Sequence, residues 1–166
     1  MQSHYNYSYS EEESCYFFKT KLGESYKVSF SENHILSVLT DLDFPQAFSI
    51  NIDRLGNNEK SKKDPKIGAT VSHIFNTFFD NRSNIVLFVC SQDNKQALCR
   101  YRKFNGWYSL SERRDEFVKR DFMAPGESEE DTFYTSIVYH IENPSREKIN
   151  IAIETAINLF NKDQVE

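Results

Sequence analysis

Glycine, proline and cysteine are all scarce in this chain of 166 residues, which has five, four and three of them. The glycines are scattered, which excludes a glycine-rich loop that could hold a phosphate. Long apolar runs are also missing, since the longest, at 85–90, is far short of the roughly 20 residues that a membrane-spanning helix needs. Because 39% of the residues are hydrophobic and 14% are aromatic, the composition excludes a disordered chain.

The cysteines are Cys15, Cys90 and Cys99, and no two of them have CxxC spacing. Their odd number and spacing predict neither a disulfide framework nor a zinc site, so we expect no metal and no cofactor. Free thiols are typical of a reducing compartment. The N-terminal residues do not show a basic stretch followed by an apolar one, and we therefore expect a cytoplasmic protein without a signal peptide.

Hydrophobic periodicity predicts the element order β-β-β-β-α-β-α-β-β-α. Apolar and polar residues alternate through the early strands, and tight turns join these strands into an N-terminal β-meander. Residues 34–42 are ambiguous and are compatible with a short helix. We expect a single α+β domain over residues 1–166, a sandwich of one mixed, mostly antiparallel sheet and about three helices, with fraying at 161–166.

The clearest helix signal follows Asp64 and Pro65, an N-cap residue and a proline at the first helical position. Apolar residues recur from Ile67 to Phe79 at the spacing of one wide helical face. Gly68, near the start of this helix, would allow another element to pack closely.

Charge is unevenly distributed along the chain, whose net charge is −5 although residues 95–120 alone have a net charge of +5. The candidate binding residues in that segment are Lys95, Arg100, Arg102, Lys103, Trp107, Arg113 and Arg114. Arginines beside aromatic residues suit phosphate contacts and base stacking. A solvated basic face with the aromatic residues anchored in the core explains the same pattern. Four further lysines, at 60, 62, 63 and 66, would extend the basic surface if they fold nearby.

No recognised catalytic motif is present, so catalytic residues stay unknown. Histidine can act as an acid or a base at neutral pH, which makes His73 and His140 candidates for that role in a small nuclease. The simpler interpretation is a surface or hydrogen-bonded side chain in each case.

Three patterns resemble an uncharacterised bacterial family of small domains of unknown function. They are the tyrosine alternation at 5–9, the aromatic alternation of 16–30 and the stretch from Asp93 and Gln96 through Arg100 and Arg102 to Trp107. The resemblance implies a bacterial cytoplasmic setting and no particular activity.

The leading hypothesis is a non-enzymatic protein that binds another protein or a second copy of itself. It depends on the missing catalytic motif, the aromatic strands and the separation of basic and acidic segments, the acidic ones at 11–13 and 127–131. One alternative is a nucleic-acid-binding protein that uses residues 95–120, and another is a small nuclease-like enzyme. No membrane partner is expected.

Overall fold

The computed structural model describes residues 4–56, 63–90, 97–124 and 133–162. The strands are β1 (Tyr7–Ser10), β2 (Cys15–Lys19), β3 (Ser25–Glu32), β4 (Ala47–Leu55), β5 (Ile85–Cys90), β6 (Phe117–Ala124) and β7 (Phe133–His140). The α-helices are α1 (Ile35–Thr40), α2 (Pro65–Phe78), α3 (Ala97–Ser109) and α4 (Arg146–Lys162), and a 3₁₀ turn spans Arg114–Glu116.

All seven strands form one sheet in the order β1-β2-β3-β4-β5-β7-β6. Every neighbouring pair is antiparallel except β4 and β5, which are parallel and are connected through α2. The predicted α+β class, the mixed and mostly antiparallel sheet and the N-terminal meander are therefore confirmed. The described residues contain four α-helices rather than about three, because the ambiguous segment at 34–42 includes α1.

The helices cover both faces of the sheet, which explains the continuous apolar run of β5. Val86 packs in one core with residues of α2 and α3, whereas Ile85 and Leu87 pack in a second core with residues of α1 and α4. Successive side chains of a strand point to opposite faces, so a strand that is covered on both sides needs apolar residues at every position.

Helix α2 begins as its sequence predicts. The Asp64 side chain accepts a hydrogen bond from the Lys66 backbone N–H, and Pro65 occupies the first helical position. The apolar face of the helix, from Ile67 to Phe75, is buried against the sheet. Among the described residues, no helix is long and apolar enough to cross a membrane.

Several predictions lie outside the described residues. These are the capping box formed by Asp93 and Gln96, the lysines at 60 and 62, and the acidic turn at 127–131. Helix α4 continues to Lys162, which is two residues into the segment expected to fray.

Candidate functional site

The indole of Trp107 lies directly against the backbone of α2 at Gly68. A Cβ atom on Gly68 would stand 2.5 Å from both Cδ1 and Nε1 of Trp107, so the indole fills the space that any other side chain would occupy. Helix α3 is held on the sheet by Phe104, whose ring stacks on Phe88 of β5 at 4.1 Å. Only glycine permits this approach of Trp107 to α2.

A cleft of about 350 Å³ opens beside this contact, and we call it the Trp107 cleft. Its lining residues are Tyr26, Lys63, Asp64, Pro65, Ile67, Gly68, Lys103 and Trp107. Lys103 places its Nζ 5.2 Å from the centre of the Trp107 ring. The cleft thus combines two lysines with two aromatic side chains, and the lysines come from the two basic patches that are separate in the sequence.

The N-terminus of α2 borders this cleft, but its first backbone donors are already used. Pro65 has no N–H, the Lys66 N–H bonds Asp64 Oδ1 at 3.0 Å, and the Ile67 N–H bonds the Asp64 carbonyl at 3.1 Å. An anion in the cleft would therefore depend on the lysine side chains.

Asp64 is held in place by the segment that precedes β1. The Tyr5 hydroxyl donates a hydrogen bond to Asp64 Oδ2 at 2.6 Å, and this bond is the main reason why the pKa of Tyr5 is raised. Lys66 places its Nζ 5.1 Å from the Tyr5 ring. One carboxylate therefore caps α2, anchors Tyr5 and lines the Trp107 cleft.

A second concave surface, which we call the histidine groove, follows α2 past His73. It has a volume of about 500 Å³, and its lining includes His4, His73, Asn76, Asp80, Glu112 and Arg113. The rings of His4 and His73 stack with their centres 4.1 Å apart, and the Tyr7 hydroxyl lies 2.8 Å from His73 Nδ1. Burial, and then the neighbouring His4, lower the pKa of His73, so the uncharged ring is favoured here.

Arg113 lies in this groove but is occupied by internal partners. Its Nε and Nη2 bond the Glu116 carboxylate at 3.0 and 2.8 Å, and its Nη1 bonds Asp80 Oδ1 and the Asn76 carbonyl, each at 3.2 Å. The Glu116 contact raises the pKa of Arg113, and Arg113 in turn lowers the pKa of Glu116. The guanidinium joins α2 to the 3₁₀ turn, and little of its hydrogen-bonding capacity remains for a partner.

The other predicted binding residues do not form one face. Arg102 and Lys103 are exposed on α3, and exposed Arg114 donates to the Ser109 carbonyl. Arg100 belongs to α3, but its side chain, like all of Lys95, lies outside what the structure describes.

The basic residues of β6 diverge to the two faces of the sheet. Lys119 Nζ lies 5.7 Å from the Tyr108 ring of α3, whereas Arg120 pairs with Glu154 of α4 at 2.8 Å. The excess of positive charge at 95–120 is therefore divided between both sides of the molecule.

His140 is only 3% exposed, which removes it from contact with a substrate. Its Nδ1 accepts a hydrogen bond from the Glu142 backbone N–H at 3.0 Å, and its Nε2 lies 3.5 Å from Glu116. The interpretation as a hydrogen-bonded histidine accounts for these contacts. Over the described ranges, no group of three or more His, Cys, Asp or Glu residues is arranged to hold a metal ion.

Sequence reasoning missed the position of three residues in these surfaces. It assigned Asp64 a capping role and Tyr26 a role in a strand, and it interpreted His4 as a surface or hydrogen-bonded side chain. Each of these assignments considers one element only, whereas the surfaces form where β3, α2, α3 and the N-terminal segment meet.

A comparison with known families places part of the chain in one of them. A family of unknown function (DUF6169) matches residues 63–155, which is more than half of the chain. The match includes α2, α3 and most residues of the Trp107 cleft, whereas Tyr5 and Tyr26 precede it. No curated protein and no solved structure matches the chain. The predicted resemblance to an uncharacterised family is thus confirmed, and the chain belongs to this family of unknown function.

Proposed function

We propose that this protein acts by binding, and that the Trp107 cleft takes a nucleotide unit of a nucleic acid. The observation that carries the proposal is the meeting of Lys63 and Lys103 beside Trp107, although the two lysines are 40 positions apart in the chain. Of the two hypotheses that involve binding, the nucleic-acid hypothesis has this defined cleft in its favour.

The chemistry of the cleft suits both parts of a nucleotide. The half-buried Trp107 offers aromatic surface to a base, and stacking of this kind contributes about 1–3 kcal/mol per base. The two lysines offer charge to a phosphate. Of the other basic residues described in 95–120, Arg113 and Arg114 bond groups of the chain and Arg120 pairs on the other face, so the proposed ligand is a short stretch of nucleic acid.

Binding is favoured over cleavage by the contacts of Arg113. A nuclease that used His73 would need a cation to stabilise the charge that develops on the phosphate. Arg113 lines the same groove as His73, but it is already bonded to Glu116 and Asp80.

Fluorescence anisotropy with ten-nucleotide single strands of DNA and RNA, at low and near-physiological salt, tests the proposal. We expect Lys63→Glu and Lys103→Glu to weaken binding. The log–log salt slope should be about −0.7, the contribution of the one phosphate that the two lysines neutralise. Lys19→Glu makes the same charge change on β2, on the face of the sheet opposite Phe18 and Tyr26, and should leave binding unchanged. No binding at low salt, or equal losses in all three variants, would contradict the proposal.

A second candidate function is self-association or binding of another protein, which the outer surfaces of α1 and α4 favour. These helices pack against each other, and apolar side chains on both are exposed, Val38 by 76% and Ile151 by 61%. Apolar surface on adjacent helices is typical of protein contacts. We expect Val38→Glu with Ile151→Glu to reduce the mass measured by light scattering. A wild-type monomer at low and high salt that retrieves no partner would argue against this function.

The bacterial cytoplasm remains part of the proposal as its setting. It is supported by Cys15, which is buried and forms no disulfide. Buried free thiols of this kind are compatible with a reducing compartment.

A further inference from the structure

The Trp107 cleft contains a carboxylate that phosphate binding does not explain. Asp64 lines the cleft together with Lys63 and Lys103. A negative charge close to a bound phosphate weakens its binding, unless another part of the ligand donates hydrogen bonds to that carboxylate. The ligand that fits the whole cleft therefore has donors as well as a phosphate.

Asp64 retains the capacity to accept such donors. An ionised carboxylate offers about four lone-pair positions. Two donors from the chain are present, the Tyr5 hydroxyl on Oδ2 and the Lys66 N–H on Oδ1. These two bonds also fix the carboxylate, so a ligand that bonds it does not have to immobilise a free side chain first.

We infer that the Trp107 cleft selects a ribonucleotide, with the ribose 2′-hydroxyl donating to Asp64 while the phosphate contacts Lys63 and Lys103. In a nucleotide the sugar hydroxyls are the donors closest to the phosphate, and Lys63 and Asp64 are neighbours in the chain. The 2′-hydroxyl is the group by which a protein distinguishes RNA from DNA. This inference rests on the proposed function, and it adds the class of sugar.

The size of the cleft limits the ligand to about one nucleotide unit. A volume of about 350 Å³ is at the lower end of the range for small-molecule sites. The same unit occurs in a free ribonucleotide and in an RNA strand, so the probes must include both.

The test compares AMP with dAMP, and rA10 with dA10, on the wild-type chain by calorimetry or anisotropy. We expect the ribose form to bind about tenfold more tightly in at least one of the two pairs, as one hydrogen bond to a charged group implies. Asp64→Ser keeps a good N-cap residue but removes the carboxylate. The affinities for the ribose and deoxyribose forms should then be nearly equal. Tyr5→Phe keeps the carboxylate but removes one of the two bonds that fix it, and should reduce the preference for ribose without abolishing it.

Circular dichroism establishes that each variant is folded. The binding results then distinguish failure of the ribose inference from failure of the proposed function. In one outcome, wild type binds the ribose and deoxyribose forms equally, and Asp64→Ser binds both more tightly. Asp64 then only repels phosphate, so the inference is wrong but the proposed function stands. A ribose preference that persists in Asp64→Ser also overturns the inference. If none of the four probes binds at low salt, the proposed function itself fails.

Discussion

Gly68 and Gly106 are both helical glycines, and their surroundings give them opposite expected responses to substitution. In a helix interior, alanine is favoured over glycine by about 1 kcal/mol. At Gly106 a Cβ atom would meet nothing within 4 Å, whereas at Gly68 it would overlap the Trp107 ring.

We expect Gly68→Ala to lower the free energy of unfolding by about 1 kcal/mol, since overpacking costs about 1–3 kcal/mol and outweighs the gain in helix propensity. The emission of Trp107, the only tryptophan, should shift to longer wavelength as the ring leaves α2. Gly106→Ala should raise the stability by up to about 1 kcal/mol with unchanged emission. Urea titrations followed by fluorescence measure both effects, and equal responses at the two sites would contradict this account.

His73 gives the stability a pH dependence of defined sign. Because the pKa of His73 is lowered in the folded chain, the native state binds fewer protons than the unfolded state as the pH falls below about 6.5. The contribution of His73 to the free energy of unfolding is fully present above that pH. It is lost as the pH falls through the pKa that His73 has in the folded chain. The groups that act on the ring are His4 from the N-terminal segment, Tyr7 of β1, Asp80 after α2, and Glu112 after α3.

His73→Gln should therefore lose less stability than wild type between pH 7.5 and pH 5. The difference should be small, because His73 lies at the surface and its ring is only partly desolvated. Urea midpoints at several pH values for the two proteins measure it. Parallel curves would show that His73 does not contribute to the acid response.

At the scale of the element, α2 organises both candidate surfaces. Its inner face is buried in the core, its N-terminus borders the Trp107 cleft, and its outer face carries His73 in the histidine groove. The N-terminal segment follows the same helix, since the Tyr5 N–H also donates to Thr70 Oγ1 at 2.9 Å. Changes at the start of α2 should therefore affect the helix and the cleft together.

Asp64→Ala should lower the free energy of unfolding by about 1–2 kcal/mol, because it removes both the N-cap and the acceptor of the Tyr5 hydroxyl. Asp64→Ser should lower the free energy of unfolding by less, since serine also caps a helix. Thermal melts followed by circular dichroism compare the two. Equal losses would mean that capping is not the main contribution of Asp64.

At the scale of the whole molecule, two helical layers share one sheet. The strands β5 and β7 contribute side chains to both cores, for example Val138 to one and Ile137 to the other. A sheet that belongs to both cores should transmit a loss of packing from one layer to the other. The single domain expected from the sequence would then unfold as one cooperative unit.

Ile153→Ala tests this expectation from the layer opposite Trp107. Ile153 is fully buried, so its truncation should cost about 2–5 kcal/mol. If the chain is one unit, the unfolding transitions seen by Trp107 fluorescence and by far-UV circular dichroism should move together. If the midpoint of the fluorescence transition does not change while that of the circular dichroism transition does, the two layers unfold separately.

The element order and the fold class could be derived from the sequence because they depend on local periodicity. Alternating residues indicated the meander, the run 85–90 indicated a strand covered on both faces, and Asp64 with Pro65 indicated where α2 begins. Gly68 was interpreted as a position for close packing, and the contact with Trp107 confirms it. The fourth helix, α1, was left ambiguous because it is only six residues long.

The candidate sites depended on tertiary structure. The sequence determined that residues 95–120 are basic and aromatic, but it could not tell which charges would be neutralised by residues distant in the chain. Only the fold pairs Arg113 with Asp80 and Arg120 with Glu154, and only the fold brings Lys63 to Trp107. The reason is physical: periodicity reports which side of its own element a residue occupies, whereas a cleft and an ion pair form between elements whose positions are set by the packing of the entire sheet.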